Sequence, residues 1–126
     1  MTKTSAANRG EVAVADLAGL CRALRVARAR VSPDITAQRL LILLAVHEHE
    51  GLSQRELLGE LEDTSITALS RNLADLSELT SRKGEGPGLV ELRSDPMNLR
   101  IRRVHLTARG RRLVCEIEEA LRGLRA

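Results

Sequence analysis

Thr67, Ala68, Ser70, Arg71 and Asn72 bring two hydroxyls, a methyl, a guanidinium and a carboxamide to one side of a short predicted helix. Those groups can hydrogen-bond to base edges and pack against a thymine methyl, which is what a major groove requires of a reading element. Ile66, Leu69, Leu73 and Leu76 recur at helical spacing and are expected to face inward, with Asp75 beside the polar side. A second set of residues is cationic. Arg93, Arg100, Arg102 and Arg103 flank Asp95-Pro96-Met97-Asn98, whose order is turn chemistry: Asp first, Pro second, and an Asn that tolerates left-handed backbone. A finger of that kind suits phosphates or a minor groove.

Positioning those groups requires a helix before the first set and strands around the second. Ser53-Gln54-Arg55-Glu56 spells a capping box, so a helix begins near Ser53, and Leu57, Leu58 and Leu61 give it an apolar stripe. Glu62 to Ser65 breaks its pattern with turn and N-cap residues, and the reading helix follows at once. Leu89 to Ser94 and Arg100 to Leu106 read as two strands, with Val90 and Leu92 alternating in one and Val104 and Leu106 in the other. Upstream, Thr36 can cap a helix over Ala37 to about His49, whose apolar middle, Leu40 to Val46, predicts burial on every side. Residues 1–10 read as a loose arm. Val14, Leu17, Cys21 and Leu24 mark an amphipathic helix that Ser32-Pro33-Asp34 ends. Thr107 caps a last helix to about Arg122, with Leu113, Val114, Ile117, Leu121 and Leu124 on one face. Both terminal helices have more apolar stripe than a small monomer needs, and pairing them across a two-fold axis would bury both.

Charge divides unevenly along the 126 residues, whose formal net charge is +3. Residues 34 to 80 hold three basic and nine acidic side chains, and residues 82 to 112 hold nine basic and three acidic. A phosphate-binding surface must therefore lean on the second block. The chain has no Phe, Tyr or Trp, which removes both a stacking platform for unpaired bases and an aromatic pocket for an effector. Cys21 and Cys115 lack CxxC spacing, which suits a reducing cytoplasm and no zinc site. His47 and His49 are two apart and share no helix face, so no metal pair is expected. Leu40 to Val46 falls far short of the roughly 20 apolar residues a bilayer needs, and the N-terminus lacks an apolar signal segment. The glycine-rich loop over Ser77 to Gly88 has no Lys-Ser/Thr pair and no phosphate-loop context, and no catalytic constellation can be assembled, so neither enzyme chemistry nor a cofactor is expected.

The order of elements is that of a mainly α (α+β) winged helix-turn-helix with dimerisation helices at both ends, and its residues resemble the MarR family of bacterial transcriptional regulators. Ile35-Thr36-Ala37-Gln38 resembles the family's LTxxQ opening, Gly51 to Leu57 its first helix, and Thr67-Ala68-Leu69-Ser70-Arg71 the STVSR of its reading helix. Gly88 to Glu91, Asp95 to Arg100 and Leu106 to Gly110 resemble its wing and the helix cap after it. The resemblance implies that Ser65, Thr67, Ala68, Arg71 and Asn72 face the major groove. It also implies that Asp95 and Arg100 hold the wing, with Arg100 reaching the minor groove. Asn98 and Leu99 depart from the family's Asp and Arg, so the wing has one cation and one carboxylate fewer. The turn before the reading helix and the loop from Ser77 to Gly88 are longer than the family's.

These readings place a flexible arm over 1–10 and a single domain over 11–126. Within it, 11–31 and 108–125 are dimerisation helices, with the winged helix over 35–107. The expected function is a homodimeric regulator, acting as a repressor, on a pseudo-palindromic site in double-stranded DNA. The expected base contacts are Ser65, Thr67, Ala68, Ser70, Arg71 and Asn72. The expected wing contacts are Arg93, Asp95, Asn98, Arg100, Arg102 and Arg103, supplemented by Arg82 and Lys83. The expected dimer contacts are Val14, Leu17, Cys21, Leu24, Leu113, Ile117, Leu121 and Leu124. Two alternatives stand beside this. One is a winged-helix interaction module, an adaptor or antirepressor, that uses the acidic block. The other is a thiol-based redox regulator using Cys21, against which stands a reading of both cysteines as small buried hydrophobes within the dimer helices.

Overall fold

A computed structural model of the chain describes residues 2–78 and 86–123, with the side chains of the first helix from Asp16 onward. The elements are α1 (Thr2–Arg30), α2 (Ala37–Glu48), α3 (Gln54–Gly59), α4 (Ile66–Leu76), β1 (Val90–Asp95), β2 (Asn98–Leu106) and α5 (Ala108–Arg122). The fold is an α+β winged helix. The chain divides into two compact units. One is formed by its two ends, up to Asp34 and from Cys115, and the other by Ile35–Val114. The segment expected as a loose arm over 1–10 is helical from Thr2, since no proline interrupts it. Arg82, Lys83 and Leu124, and most of the expected glycine-rich loop, lie outside the described residues.

Helix starts follow the capping side chains. Thr36 Oγ1 accepts the Arg39 N–H at 3.1 Å, Ser65 Oγ that of Ala68 at 3.0 Å, and Thr107 Oγ1 that of Gly110 at 3.0 Å. Ser53 and Glu56 form the reciprocal box, with Glu56 N–H to Ser53 Oγ at 3.1 Å and Ser53 N–H to Glu56 Oε1 at 2.9 Å. Each bond satisfies a backbone donor that a helix start leaves orphaned.

In the Ile35–Val114 unit, Ile42, Leu43 and Val46 of α2, Leu57 of α3, and Leu69, Leu73 and Leu76 of α4 are buried, as are Val90, Val104 and Leu106 of the hairpin. The strands are antiparallel, with Val90 opposite Leu106 and Leu92 opposite Val104, so the alternation read from sequence puts the apolar sides together. Gly51 and Leu52 add a short third edge: Gly51 N–H donates to Val104 O and Val104 N–H to Leu52 O, both at 2.8 Å. Two apolar expectations fail here. α2 is not buried all round, because Leu41 is exposed, and Ile66, at the first position of α4, is exposed as well.

In the unit made by the chain ends, α1 meets the end of α5 through small residues rather than through its leucines. Ala23 and Ala27 are buried, and a Cβ placed on Gly19 would lie 2.3 Å from Leu121 O. Gly19, Ala23 and Ala27 are four apart, so one face of α1 lets the backbones approach. Arg22 Nε donates to Ala120 O at 2.8 Å, and Arg30 grips Glu116 through Nε and Nη2. Leu17, Leu24 and Leu121 of the expected dimer set, together with Leu20, are exposed. Leu113 and Ile117 of that set are instead buried within the chain, so they are not free for a partner. The side chain of Val14 lies outside the described residues. Cys21 and Cys115 are free and exposed on the single chain, where the expectation was burial within paired dimer helices.

Candidate nucleic-acid interface

α4 carries the first set of side chains on a helix whose inner face is Leu69, Asn72, Leu73 and Leu76, spaced i, i+3, i+4 and i+7. Asn72 is therefore not a groove-facing residue. It is buried, its Oδ1 accepting Arg39 Nε–H at 2.9 Å and its Nδ2 donating to Ala68 O at 2.9 Å. Arg39 continues from α2 to Asp75 Oδ2 at 2.6 Å, which fixes α4 against α2 through charge-assisted bonds. Ser65, Thr67, Ser70 and Arg71 are exposed and Ala68 is half-buried. Two of these already have tasks, Ser65 as the N-cap and Ser70 as donor to Gln54 Oε1 at 2.8 Å. Arg71 has no hydrogen-bond or ion-pair partner among the described residues.

The hairpin sorts its arginines in the same way. Arg103 is tied inward: Nε and Nη2 donate to Asp95 Oδ2 at 3.0 and 2.8 Å, and Nη1 donates to Gly51 O at 3.0 Å with Glu56 Oε1 3.5 Å away. It joins the hairpin to the start of α3 as a brace, rather than standing free as the expected phosphate contact. Asp95 holds Arg103 and the Met97 N–H, not Arg100. Arg93 pairs with Glu91 Oε2 two residues before it. Asn98 takes no left-handed backbone; its Oδ1 accepts the Arg100 N–H at 3.1 Å. Arg100 and Arg102 are exposed, and their guanidinium groups have no partner among the described residues.

Arg55 is a candidate the sequence reading passed over. It is exposed on α3 and lines one groove with Arg100 and Arg102, while Arg102 lines a second with Gln54 and Ser70. The polar face of α3, the serine side of α4 and β2 thus border two grooves that share Gln54 and Arg102. The groove shared by Arg55, Arg100, Arg102 and Arg103 is positive although residues 34 to 80 are net acidic, because Glu48, Glu60, Glu62 and Asp63 line a separate groove, while Glu50 and Asp75 are paired with Arg111 and Arg39. His105 faces Glu50 at 3.5 Å rather than open solvent.

Three carboxyls sit below their ordinary range. Burial pushes Glu50 upward, but hydrogen bonds from Arg111 and the Leu106 N–H, with the Arg111 charge, outweigh it. The Ser53 N–H, followed by the Ser53 hydroxyl and Arg103, lowers Glu56, and the Met97 N–H, followed by Arg103, lowers Asp95. Folded pKa values below the unfolded ones mean stability that is complete above the unfolded pKa and is lost as pH falls through the folded one. Melting temperature is thus expected to hold down to about pH 5 and to drop below about pH 4. Glu50→Gln should flatten part of that drop, and a melting profile equally steep in the variant would contradict the assignment.

No helix among the described residues is long and apolar enough to cross a membrane. No protein-family model matches the chain, and no curated protein matches it. Solved structures do. The chain is similar to RV1404 from Mycobacterium tuberculosis at 21% identity and a TM-score of 0.61, covering 97% of this chain and 71% of that one. It is similar to a MarR family transcription regulator at 23% and 0.57, covering 93% and 67%. A mutant MarR from E. coli, complexed with operator DNA, matches at 23% and 0.52, covering 91% and 80%. At these identities the shared property is the fold.

Proposed function

We propose that the chain is a double-stranded DNA-binding transcription regulator of MarR type, acting as a homodimer and a repressor on a pseudo-palindromic operator. The observation that carries this is the sorting of arginines on the Ile35–Val114 unit. Arg55, Arg71, Arg100 and Arg102 are exposed and unpaired, beside hydroxyls of α4, while Arg39, Arg93, Arg103 and Arg111 are held by carboxylates. Arg55, Arg100 and Arg102 line concave surface, and free guanidinium groups are what phosphate contacts and counterion release require. In this reading Thr67, Ala68 and Arg71 meet base edges, Ser65 and Ser70 border the groove, and Arg55, Arg100 and Arg102 meet the backbone. The operator-bound MarR structure of the same fold supports the choice of duplex over single strand. Exposed Leu17, Leu20, Leu24 and Leu121 support association of two copies through the chain ends. No enzymatic step is assigned.

Mobility shifts on duplexes selected from random sequence test the reading, with Arg71→Ala and Asn72→Ala compared. Arg71→Ala is expected to weaken specific binding about 10-fold or more, the loss of one good base or phosphate contact, with an unchanged melting temperature. Asn72→Ala should lower melting temperature and binding together. Absence of any duplex binding by the wild type at low salt would remove the proposal.

A second reading has one observation in its favour. Exposed Leu41, with Leu61, lines a groove rimmed by Glu48, Glu60, Glu62 and Asp63, which suits a basic amphipathic segment of another protein. Arg71→Ala separates the two, because an adaptor would keep its partner.

A further inference from the structure

The two most exposed large apolar side chains among the described residues stand together at the tip of the hairpin: Met97, 92% exposed, and Leu99, 74% exposed. An isolated apolar side chain on a surface is ordinary. A pair at the end of a cationic finger is not, and the tip is built to hold it outward. The strand register shifts between Ser94 and Asp95, so that Ser94 faces Arg102 while Asp95 faces Asn98, and the residues from Leu99 to Ile101 leave the ladder. A bulge of this kind re-aims side chains at the rim of a sheet. Asp95 Oδ1 accepts the Met97 N–H at 2.8 Å and Asn98 Oδ1 accepts the Arg100 N–H at 3.1 Å, so the backbone on each side of the tip is pinned by the side chain before it. Asp95 is itself anchored by Arg103.

A finger that only followed phosphates would gain nothing from apolar groups at its point, since sugar edges and water are all they would meet. Between base pairs the same groups lose water and gain contact, at the expense of a few kcal/mol of stacking in the step they open. The minor groove draws guanidinium groups by its negative potential, and Arg100 and Arg102 stand immediately behind the tip. We propose, resting on the DNA-binding reading above, that Met97 and Leu99 form an apolar wedge. It enters the minor groove beside the half-site, partly unstacks one base step and bends the duplex. The step entered should be a flexible pyrimidine–purine one, TA or CA/TG, because those unstack most easily. The wedge thereby selects sequence at a position where no hydrogen bond is made.

The test uses the full chain and a duplex it selects from random DNA, with 2-aminopurine placed in turn at each step of the minor groove protected by the hairpin. Wild-type protein is expected to raise the fluorescence at one step severalfold and to bend the duplex by about 20–90° in a circular-permutation assay. The double variant Met97→Ser/Leu99→Ser should lose both signals and bind about 10-fold more weakly, while its melting temperature stays that of the wild type because neither side chain packs on the fold. Leu99→Arg separates wedge from charge: the salt dependence should steepen by about one counterion while the fluorescence change is lost. A wild-type complex with flat fluorescence and an unbent duplex overturns the wedge and leaves the DNA-binding reading standing. So does a serine variant that retains the fluorescence change, or one whose only defect is weaker association between copies of the chain. Failure of the wild type to shift any duplex at low salt overturns both.

Discussion

Gly110→Val is expected to lower the melting temperature by about 10 °C or more, the consequence of roughly 3 kcal/mol of strain in a domain of this size. A Cβ at Gly110 would lie 2.2 Å from Leu89 O and 3.1 Å from Leu89 C, and both are backbone atoms. That backbone cannot move aside cheaply. Leu89 N–H donates to Leu76 O at 2.7 Å, and Leu89 O accepts the Thr107 N–H at 3.0 Å, so a shift would break the links from α4 to the hairpin and from the hairpin to α5. Replacing a helical glycine normally gains up to about 1 kcal/mol from a less flexible unfolded chain, which is too little to offset the collision. Gly110→Ala should already be destabilising. Gly59, also helical, has nothing within 4 Å of its would-be Cβ, and Gly59→Ala should be neutral or mildly stabilising. Thermal melts of the three variants check this. If Gly110→Ala melts with the Gly59→Ala protein, the close approach of α5 to Leu89 is not what the residue serves.

What was legible in the sequence is what local chemistry determines. Thr36, Ser53 and Thr107 start helices because each can accept a backbone N–H three residues on, and that needs no tertiary information. Val90, Leu92, Val104 and Leu106 declared the hairpin by period alone. What sequence pattern does not reveal is which side chains tertiary packing turns inward. Asn72 fills an inner place on α4 because Arg39 and Ala68 satisfy it there, and its spacing from Leu69 and Leu76 was the available clue. Ile66 has the helical spacing of an inner residue but stands at the first position of α4, and Leu41 lies in an apolar run, yet both are exposed. The real packing face of α1 consists of Gly19, Ala23 and Ala27, whose small size conceals it from a search for leucines. By spacing Arg103 belongs with the cations of the wing, and nothing local reveals that Asp95, Glu56 and the Gly51 carbonyl surround it.

Arg39 is where the second large effect is expected. Its guanidinium connects α2 to α4 by bonding Asn72 Oδ1 and Asp75 Oδ2, and both acceptors are largely withdrawn from solvent, the Asp75 side chain being 13% exposed. Arg39→Met keeps much of the apolar stem but leaves a carboxylate and a carboxamide oxygen without their donor. Stranding a buried charge costs more than the pair contributes. Because Arg39 is itself 27% exposed, water can reach part of the site, so a loss of about 2–3 kcal/mol is expected rather than the 3–5 of a fully buried pair. Asp75→Leu alone should cost less, since a cation near the surface is more readily hydrated than the inner carboxylate. The double variant Arg39→Met/Asp75→Leu should recover much of the single loss, because it strands no charge and replaces the pair with apolar volume. Denaturant midpoints for the four proteins give the coupling directly, and costs that merely add would show that the cluster is not a unit. Duplex affinity should follow stability across this series, because the cluster sets where α4 lies without touching a base. Arg71→Ala should break that correlation by losing affinity alone.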